Sequence, residues 1–220
     1  MLQGVIVIDG NSLYGLIMAR LGVFIDRCAS SRTSQDLADK LDCDIVQVFD
    51  DMKVDNLVEH EDLLLMRTPN EFMSLTRAGP TVLSVVLDLT ISNRKKLKSS
   101  RLKDKVWAYK LLAVSVYNAM GSRYGIISSQ MCAAIVTYLA RIYIKKMVTI
   151  TMLCGHKIIY GDIYSIFPHI GSDTEQECMN GDIKLKMSIV EGMSKTPFAG
   201  RGCGHQGELQ VDRKLGQEEV

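Results

Sequence analysis

Apolar and polar positions along this chain change period several times, and each change marks an element. Residues 4–8, GVIVI, form a continuous apolar run suited to a strand buried on both faces, and Asp9 follows directly. A carboxylate there either faces a cleft or, with Ser12, caps a helix beginning near Leu13. From Ala29 to Asp62 the composition turns polar and acidic. SSRTSQDLADKLDCD carries a helical period through Leu37 and Leu41, with Ser34 or Asp36 as cap. DIVQVFDD alternates like a strand, and NLVEHEDLLLMRTP is expected to pair with it until Pro69 ends the run. This stretch reads as a small β insertion in which His60, between Glu59 and Glu61, is a solvated surface residue.

Gly79-Pro80 breaks the chain before a helix, VLSVVLDLTISNRKKLKSS, with Thr81 at its start and Val82, Val85, Val86 and Leu89 as its apolar face. Arg94 and Lys98, four apart, share one side of its last turns, where they also complement the helix dipole. After a turn at Ser99-Ser100, RLKDKVWAYKLLAVSVYNAMGSRYG repeats Val106, Lys110, Ala113 or Val114, and Tyr117 at helical spacing. The two helices form an antiparallel hairpin in which Arg94, Lys98 and Lys110 are placed to meet one anion. SSQMCAAIVTYLARIYIKKMVTITML is a long core helix capped by Ser128 or Ser129 and ending near Cys154-Gly155. GHKII and IFPHI then flank YGDIYS, a tight hairpin whose Gly161 is expected at positive φ and whose tip carries Asp162. Beyond Ile170 the signal fades into a polar linker (GSDTEQECMNGD), a short amphipathic helix (KLKMSIVEGM), a Gly-rich stretch and a last strand with a frayed tail.

Composition adds limits. The 220 residues are 47% hydrophobic, ample for a core, and a net charge of +1 gives no global attraction to nucleic acid, so such binding would use local basic patches. Six cysteines without regular spacing read as free thiols in a reducing compartment. Cys178 with Cys203 and His205 lacks a fourth ligand and matches no zinc pattern. The start of the chain lacks a secretory signal pattern, and charged residues interrupt every apolar run before membrane-spanning length. A soluble, intracellular protein without a membrane role is expected.

Three ordered segments resemble the motifs of family B DNA polymerases, over roughly residues 4–30 and 77–170. Asp9-Gly-Asn-Ser12-Leu13-Tyr14-Gly15-Leu16-Ile17 resembles the palm motif D-x-x-S-L-Y-P-S-I. Lys110 through Asn118 resembles the fingers motif K-x-x-x-N-S-x-Y-G, and YGDIYS resembles the palm turn YGDTDS. The resemblance is nearest to viral and eukaryotic replicative enzymes. It implies an α+β fold: a palm with a small antiparallel sheet (1–78 with an insertion at about 29–70, and 126–170), a fingers hairpin (79–125), a palm remnant and tail (171–220), and no thumb or exonuclease domain. It also implies two Mg²⁺ ions held by Asp9 and Asp162, a triphosphate held by Arg94, Lys98 and Lys110 with Ser12 nearby, Tyr14 beneath the sugar, and Leu13 and Tyr117 against the nascent base pair. The partners so implied are primer-template DNA, a deoxynucleoside triphosphate and replication factors, in the nucleus of a cell or viral host.

Four positions depart from the pattern. Tyr164 stands where the bridging aspartate belongs, Val114 for an Asn, Asn118 for a Gly and Gly15 for a Pro. A neutral phenol is a poor Mg²⁺ ligand, so nucleotidyl transfer is expected to be impaired or lost. Two other readings stay open at this point: a non-catalytic module that binds nucleic acid or nucleotide through its cations, and a PIN-like or 5′-nuclease, suggested by VIVIDGNSLYG.

Overall fold

The computed structural model describes residues 4–10, 12–98, 102–171 and 175–194. Its elements in chain order begin with β1 (Ile8–Asp9), α1 (Leu13–Leu21), β2 (Cys28–Ser31), α2 (Ser34–Leu41), α3 (Val46–Asp51), β3 (Leu57–His60), β4 (Leu63–Arg67) and β5 (Phe72–Thr76). There follow α4 (Val82–Leu97), α5 (Lys103–Gly121), α6 (Gln130–Leu153), β6 (Lys157–Gly161), β7 (Ser165–His169) and α7 (Glu175–Ser194). This is the expected α+β mixture of small antiparallel sheets and helices. No helix among the described residues is long and apolar enough to cross a membrane. The chain divides into two compact units: Tyr14–Leu139 forms one, and the described residues up to Leu13 with those from Ala140 onward form the other.

The second of these units holds a three-stranded antiparallel sheet in the order β1-β7-β6. The apolar run 4–8 is less buried than its composition suggests, because only Ile8 is fully covered while Gly4 to Val7 are half-buried. Ile8 pairs with the equally buried Ile166, and Asp9 pairs with Ser165. Pro168 sits in the central strand opposite Ile158, beside the register irregularity between Ile158 and Tyr160. A proline offers the ladder no N–H, so a break in regular pairing falls where a donor is missing anyway. Helix α7 starts at Glu175, well inside the stretch read as a polar linker. Leu185, Ile189 and Met193 recur along it at helical spacing and are buried, which is why the polar start is carried into the helix.

Two glycines let α7 lie close to its neighbours. A Cβ on Gly181 would come within 2.5 Å of Ile170 Cγ2, and one on Gly192 within 2.6 Å of Ile150 Cδ1. Gly181→Val is therefore expected to cost about 1–3 kcal/mol through overpacking. Chemical denaturation measures this, and Val at the exposed position 184 serves as a control that leaves the midpoint unchanged.

The other unit carries a four-stranded antiparallel sheet in the order β2-β5-β4-β3. Here the structure corrects the reading of DIVQVFDD: it is helix α3, not a strand. Ile45, Phe49 and Met52 are buried at a spacing of four and three, a helical period, whereas Val46 and Val48 are only half-buried. Together with Leu37, Ala38 and Leu65 these residues form one core cluster. The run NLVEHEDLLLMRTP pairs with itself as β3 and β4, turning at Glu61 with φ of 52°. The far side of β4 is taken by β5, and β5 by β2, two strands with no clear alternation in the sequence. The cap of α2 is Thr33, whose hydroxyl accepts from Asp36 N at 3.1 Å, rather than Ser34 or Asp36.

The helical hairpin is present as expected, with α4 packed on α5. Thr81 and Ser84 make reciprocal capping bonds at the head of α4. The buried face, however, is Ser84, Leu87 and Thr90, while Val82 and Leu89 stand 85% and 58% exposed and Val85 and Val86 are also exposed. Burial of the polar row costs little because its hydroxyls are satisfied locally: Thr90 donates to Val86 O at 2.7 Å and Ser84 to Thr81 O at 2.8 Å. The long helix α6 runs to Leu153 as read from the pattern, with Ser129 Oγ accepting from Cys132 N at 3.3 Å at its start. Cys203, His205, the Ser99-Ser100 turn and the C-terminal strand and tail lie outside the described residues, as does the side chain of Cys178.

Candidate active site

The hairpin of β6 and β7 is shaped by a carboxylate rather than by a glycine. Gly161 belongs to β6 and is not among the positive-φ residues, so the expectation of a left-handed glycine fails. Asp162 makes the turn. Its N–H donates to Ser165 O at 2.9 Å, and its Oδ1 accepts from Tyr164 N at 2.8 Å, Ser165 N at 2.7 Å and Ser165 Oγ at 2.9 Å. An aspartate closing on the N–H groups two and three residues ahead does the work otherwise left to a special backbone conformation. The Tyr164 N–H does most to hold the Asp162 carboxyl below its ordinary value; burial opposes this, and the two Ser165 donors reinforce it.

A carboxyl with a lowered folded-state value stabilises the fold above the ordinary carboxylate range, and loses that contribution as pH falls through the depressed value. Asp162→Ala is thus expected to cost about 1 kcal/mol at neutral pH, a figure reduced for the exposure of the turn. The variant also flattens the acid limb of the stability curve below about pH 4. Denaturation midpoints measured from pH 7 downward check both effects.

Tyr164 is held by its backbone on two sides. Its N–H is bound by Asp162, and its carbonyl accepts from Gly10 N at 2.7 Å. A Cβ on Gly10 would sit 3.1 Å from that same carbonyl, so a side chain there would push the β1 turn off the hairpin. With Asp9 opposite Ser165, and Asp162 bonded to Ser165, the two acidic residues flank one serine across adjacent strands. The outer strands of such a sheet lie roughly 10 Å apart. Asp9 and Asp162 are thereby brought to one end of one sheet, as the sequence led one to expect. Ser165 and Gly10 were not singled out beforehand. The Asp-x-x-Ser spacing of an Asx turn was the available signal for Ser165, and Gly10 had none.

The remaining expected residues lie mostly on α1, α4 and α5. Leu13 is 3% exposed, so its side chain is committed to packing. Ser12 has φ of 58°, a left-handed residue in the turn between β1 and α1. The rings of Tyr14 and Tyr117 meet at 4.4 Å, tilted by 52°. Gly15 faces the helical hairpin: a Cβ there would lie 3.7 Å from both Ala113 Cβ and Ile91 Cδ1. Arg20 of α1 reaches Asp88 of α4 at 3.7 Å. On α5 the core row is Val106, Tyr109, Ala113, Val116 and Met120, and beside it Lys110, Val114 and Asn118 are exposed with Tyr117 half-buried. The Lys110 ammonium stands 5.5 Å from the centre of the Trp107 ring. Arg94 is half-buried on α4 and Lys98 is exposed at its C-terminal cap.

The family model for DNA polymerase family B matches residues 2–199. The chain belongs to DNA polymerase family B. Among solved structures it is similar to the family B DNA polymerase of the hyperthermophilic archaeon Pyrobaculum calidifontis, at 17% identity and a TM-score of 0.53 over 85% of this chain. At that identity the likeness is one of fold, and the chain spans 22% of the archaeal polymerase. A comparison with curated proteins found no match.

Membership in family B makes the donor set at the hairpin informative. Two Mg²⁺ ions require several carboxylate oxygens on rigid elements. This family B chain presents Asp9 and Asp162 there, with Asp162 Oδ1 already taken by three donors. No group of three or more His, Cys, Asp or Glu capable of holding a metal occurs among the described residues. Among the described residues, the side chains at this end of the sheet fall short of the set a two-metal site needs.

Proposed function

We propose that this chain is the palm and fingers portion of a DNA-directed DNA polymerase of the viral or eukaryotic replicative kind, whose nucleotidyl transfer is impaired by Tyr164. The observation that carries the reading is the backbone clamp on Tyr164, between Asp162 Oδ1 and Gly10 N–H, at the level of Asp9. A side chain fixed there is where a ligand bridging two ions would have to stand, and a phenol brings neither the charge nor the hard oxygen that Mg²⁺ prefers. Without a bridging carboxylate, no step through a metal is assigned to this chain.

What its own residues do is bind. Arg94 and Lys110 lie on the two neighbouring helices α4 and α5, and both carry charge suited to one triphosphate. Lys98 adds charge at the open end. The Tyr14–Tyr117 pair offers an aromatic wall for the sugar and base, and Ser12 lies at the turn leading to it. Val114 and Asn118 replace the family's Asn and Gly on the exposed side of α5, where no packing demands them. Primer-template DNA and a deoxynucleoside triphosphate are the ligands, replication factors the partners, and a nucleus the setting.

A second reading, a binding module without turnover, is favoured by the survival of the cations and the tyrosine pair in a chain whose hairpin carries Tyr164. Fluorescent deoxynucleotide titrations and single-nucleotide incorporation separate the two. Binding that falls about tenfold in Lys110→Ala, with slow but measurable incorporation in the unaltered chain, supports the polymerase. Binding with no incorporation under any metal supports the module. Absence of nucleotide binding defeats both.

A further inference from the structure

The exposed side of α5 carries a pattern that nucleotide binding does not use up. Trp107 is the sole tryptophan of the chain and stands 56% exposed, although a ring of that size ordinarily contributes to a core. It lies off the core row of α5, with Lys103 one turn before it and Lys110 one turn after, both exposed. Residues three and four apart share a helix face, so cation, ring and cation run in line over about 10 Å. The Lys110 ammonium is 5.5 Å from the centre of the ring. We propose that this stripe binds single-stranded nucleic acid, with Lys103 and Lys110 on backbone phosphates and a base stacked on Trp107.

The local needs of the fold do not account for the stripe. Arg94, Lys95 and Lys96 fall in the last turn of α4, where cations complement the helix dipole. Lys103 opens α5, where the dipole disfavours a cation and Asp104 is the acidic residue of the first turn. Charge is also concentrated here: among residues 94–98 and 102–105, six Lys or Arg stand against one Asp, in a chain of net charge +1. These cations gather where the end of α4 leads into the start of α5, so a local positive field surrounds the ring. A polyanion with open π-faces answers both features, since its phosphates meet the cations and any base offers a face to the indole. A duplex keeps its bases stacked on one another and would engage the cations alone, as would an acidic peptide. A bilayer would need apolar neighbours along the stripe, and the ring has a lysine on either side. The inference does not depend on nucleotide binding, although the strand and a nucleotide would share Lys110.

Because Trp107 is the sole tryptophan, its fluorescence reports this site directly. Titration of the nucleotide-free chain with a 15-residue oligo(dT) is expected to quench the emission saturably, with an affinity that falls with salt at a log–log slope of about −1.4 for two phosphates. The same length of oligo(rU) tells which kind of strand is preferred, and a response to either is binding of the class proposed. By anisotropy of labelled oligonucleotide, Trp107→Ala should weaken binding at least about fivefold, and Lys103→Ala should reduce the slope by about 0.7. Lys103→Ala should leave fluorescent deoxynucleotide binding unchanged, which also shows that the variant is folded. Emission untouched by either oligonucleotide overturns the proposal, and does so without touching the nucleotide reading if deoxynucleotide still binds. Equal quenching by polyglutamate or by duplex of the same length would reduce the stripe to a general anion patch and overturn it too. A blue shift with anionic phospholipid vesicles, in a chain that ignores oligonucleotides, would make the ring a lipid anchor instead.

Discussion

Single-nucleotide incorporation is expected to rise by at least about two powers of ten when Tyr164 is replaced by Asp, the scale of one well-placed electrostatic group in a reacting site. The substitution is structurally permissive. Tyr164 is 43% exposed, so losing its ring opens no buried cavity, and two backbone hydrogen bonds hold the residue whatever its side chain. The new carboxylate joins Asp9 and Asp162 at one end of the sheet, and like charges there raise one another's proton affinity until a cation is bound. Tyr164→Asp is therefore also expected to gain thermal stability from added Mg²⁺, by an amount that grows with the logarithm of its concentration, while the unaltered chain gains less. Adding Val114→Asn and Asn118→Gly should raise incorporation further. Tyr164→Phe is the control, and its rate should match that of the unaltered chain. Brisk extension by the unaltered chain would remove the premise of impairment. A Tyr164→Asp variant that binds Mg²⁺ but incorporates nothing would show that more than this one ligand has been lost.

The largest loss of stability is expected from Phe49→Ala, about 3–5 kcal/mol by the usual cost of truncating a buried aromatic. Phe49 is fully buried and meets Phe72 edge-on at 5.2 Å. Its backbone is bound as well, since Arg67 donates to the carbonyls of Phe49 and Met52 at 3.3 and 2.8 Å at the end of α3. A helix of six residues has little stability of its own, so the ring is what holds α3 to the sheet. Native stabilities of about 5–15 kcal/mol leave little of this unit folded after such a loss. Urea denaturation followed by circular dichroism gives the value, with Gln47→Ala, on the exposed side of α3, expected to be nearly neutral. A Phe49→Ala midpoint close to that of the unaltered chain would mean that the core is centred elsewhere.

The hairpin around Asp162, the helical pair and α6 were legible in the sequence because each is specified locally. Apolar runs of strand length flank a short polar turn, or a helical period continues for several turns between a capping hydroxyl and a breaker. The resemblance to family B motifs drew on the same segments. Other features were illegible for one shared reason. In α3 the decisive residues are Ile45, Phe49 and Met52, but Val46 and Val48 complete an equally good alternation over so short a window. β2 and β5 contain Ser and Thr at positions that the ladder later covers. In α4 the apolar residues gave the wrong face, since Ser84 and Thr90 satisfy their own hydroxyls and can turn inward while valines stay outside.

From the amino-acid order alone come the family, the α+β class, and the positions of Asp9, Asp162 and Tyr164. These follow from residue identity and short-range spacing. Tertiary structure alone decided that Asp162 spends one oxygen on its own turn and that Gly10 lets the first strand's turn reach the Tyr164 carbonyl. Those contacts depend on which strands pair and which helices pack, and pairing at long range is chosen by burial of the whole chain rather than by any segment of it.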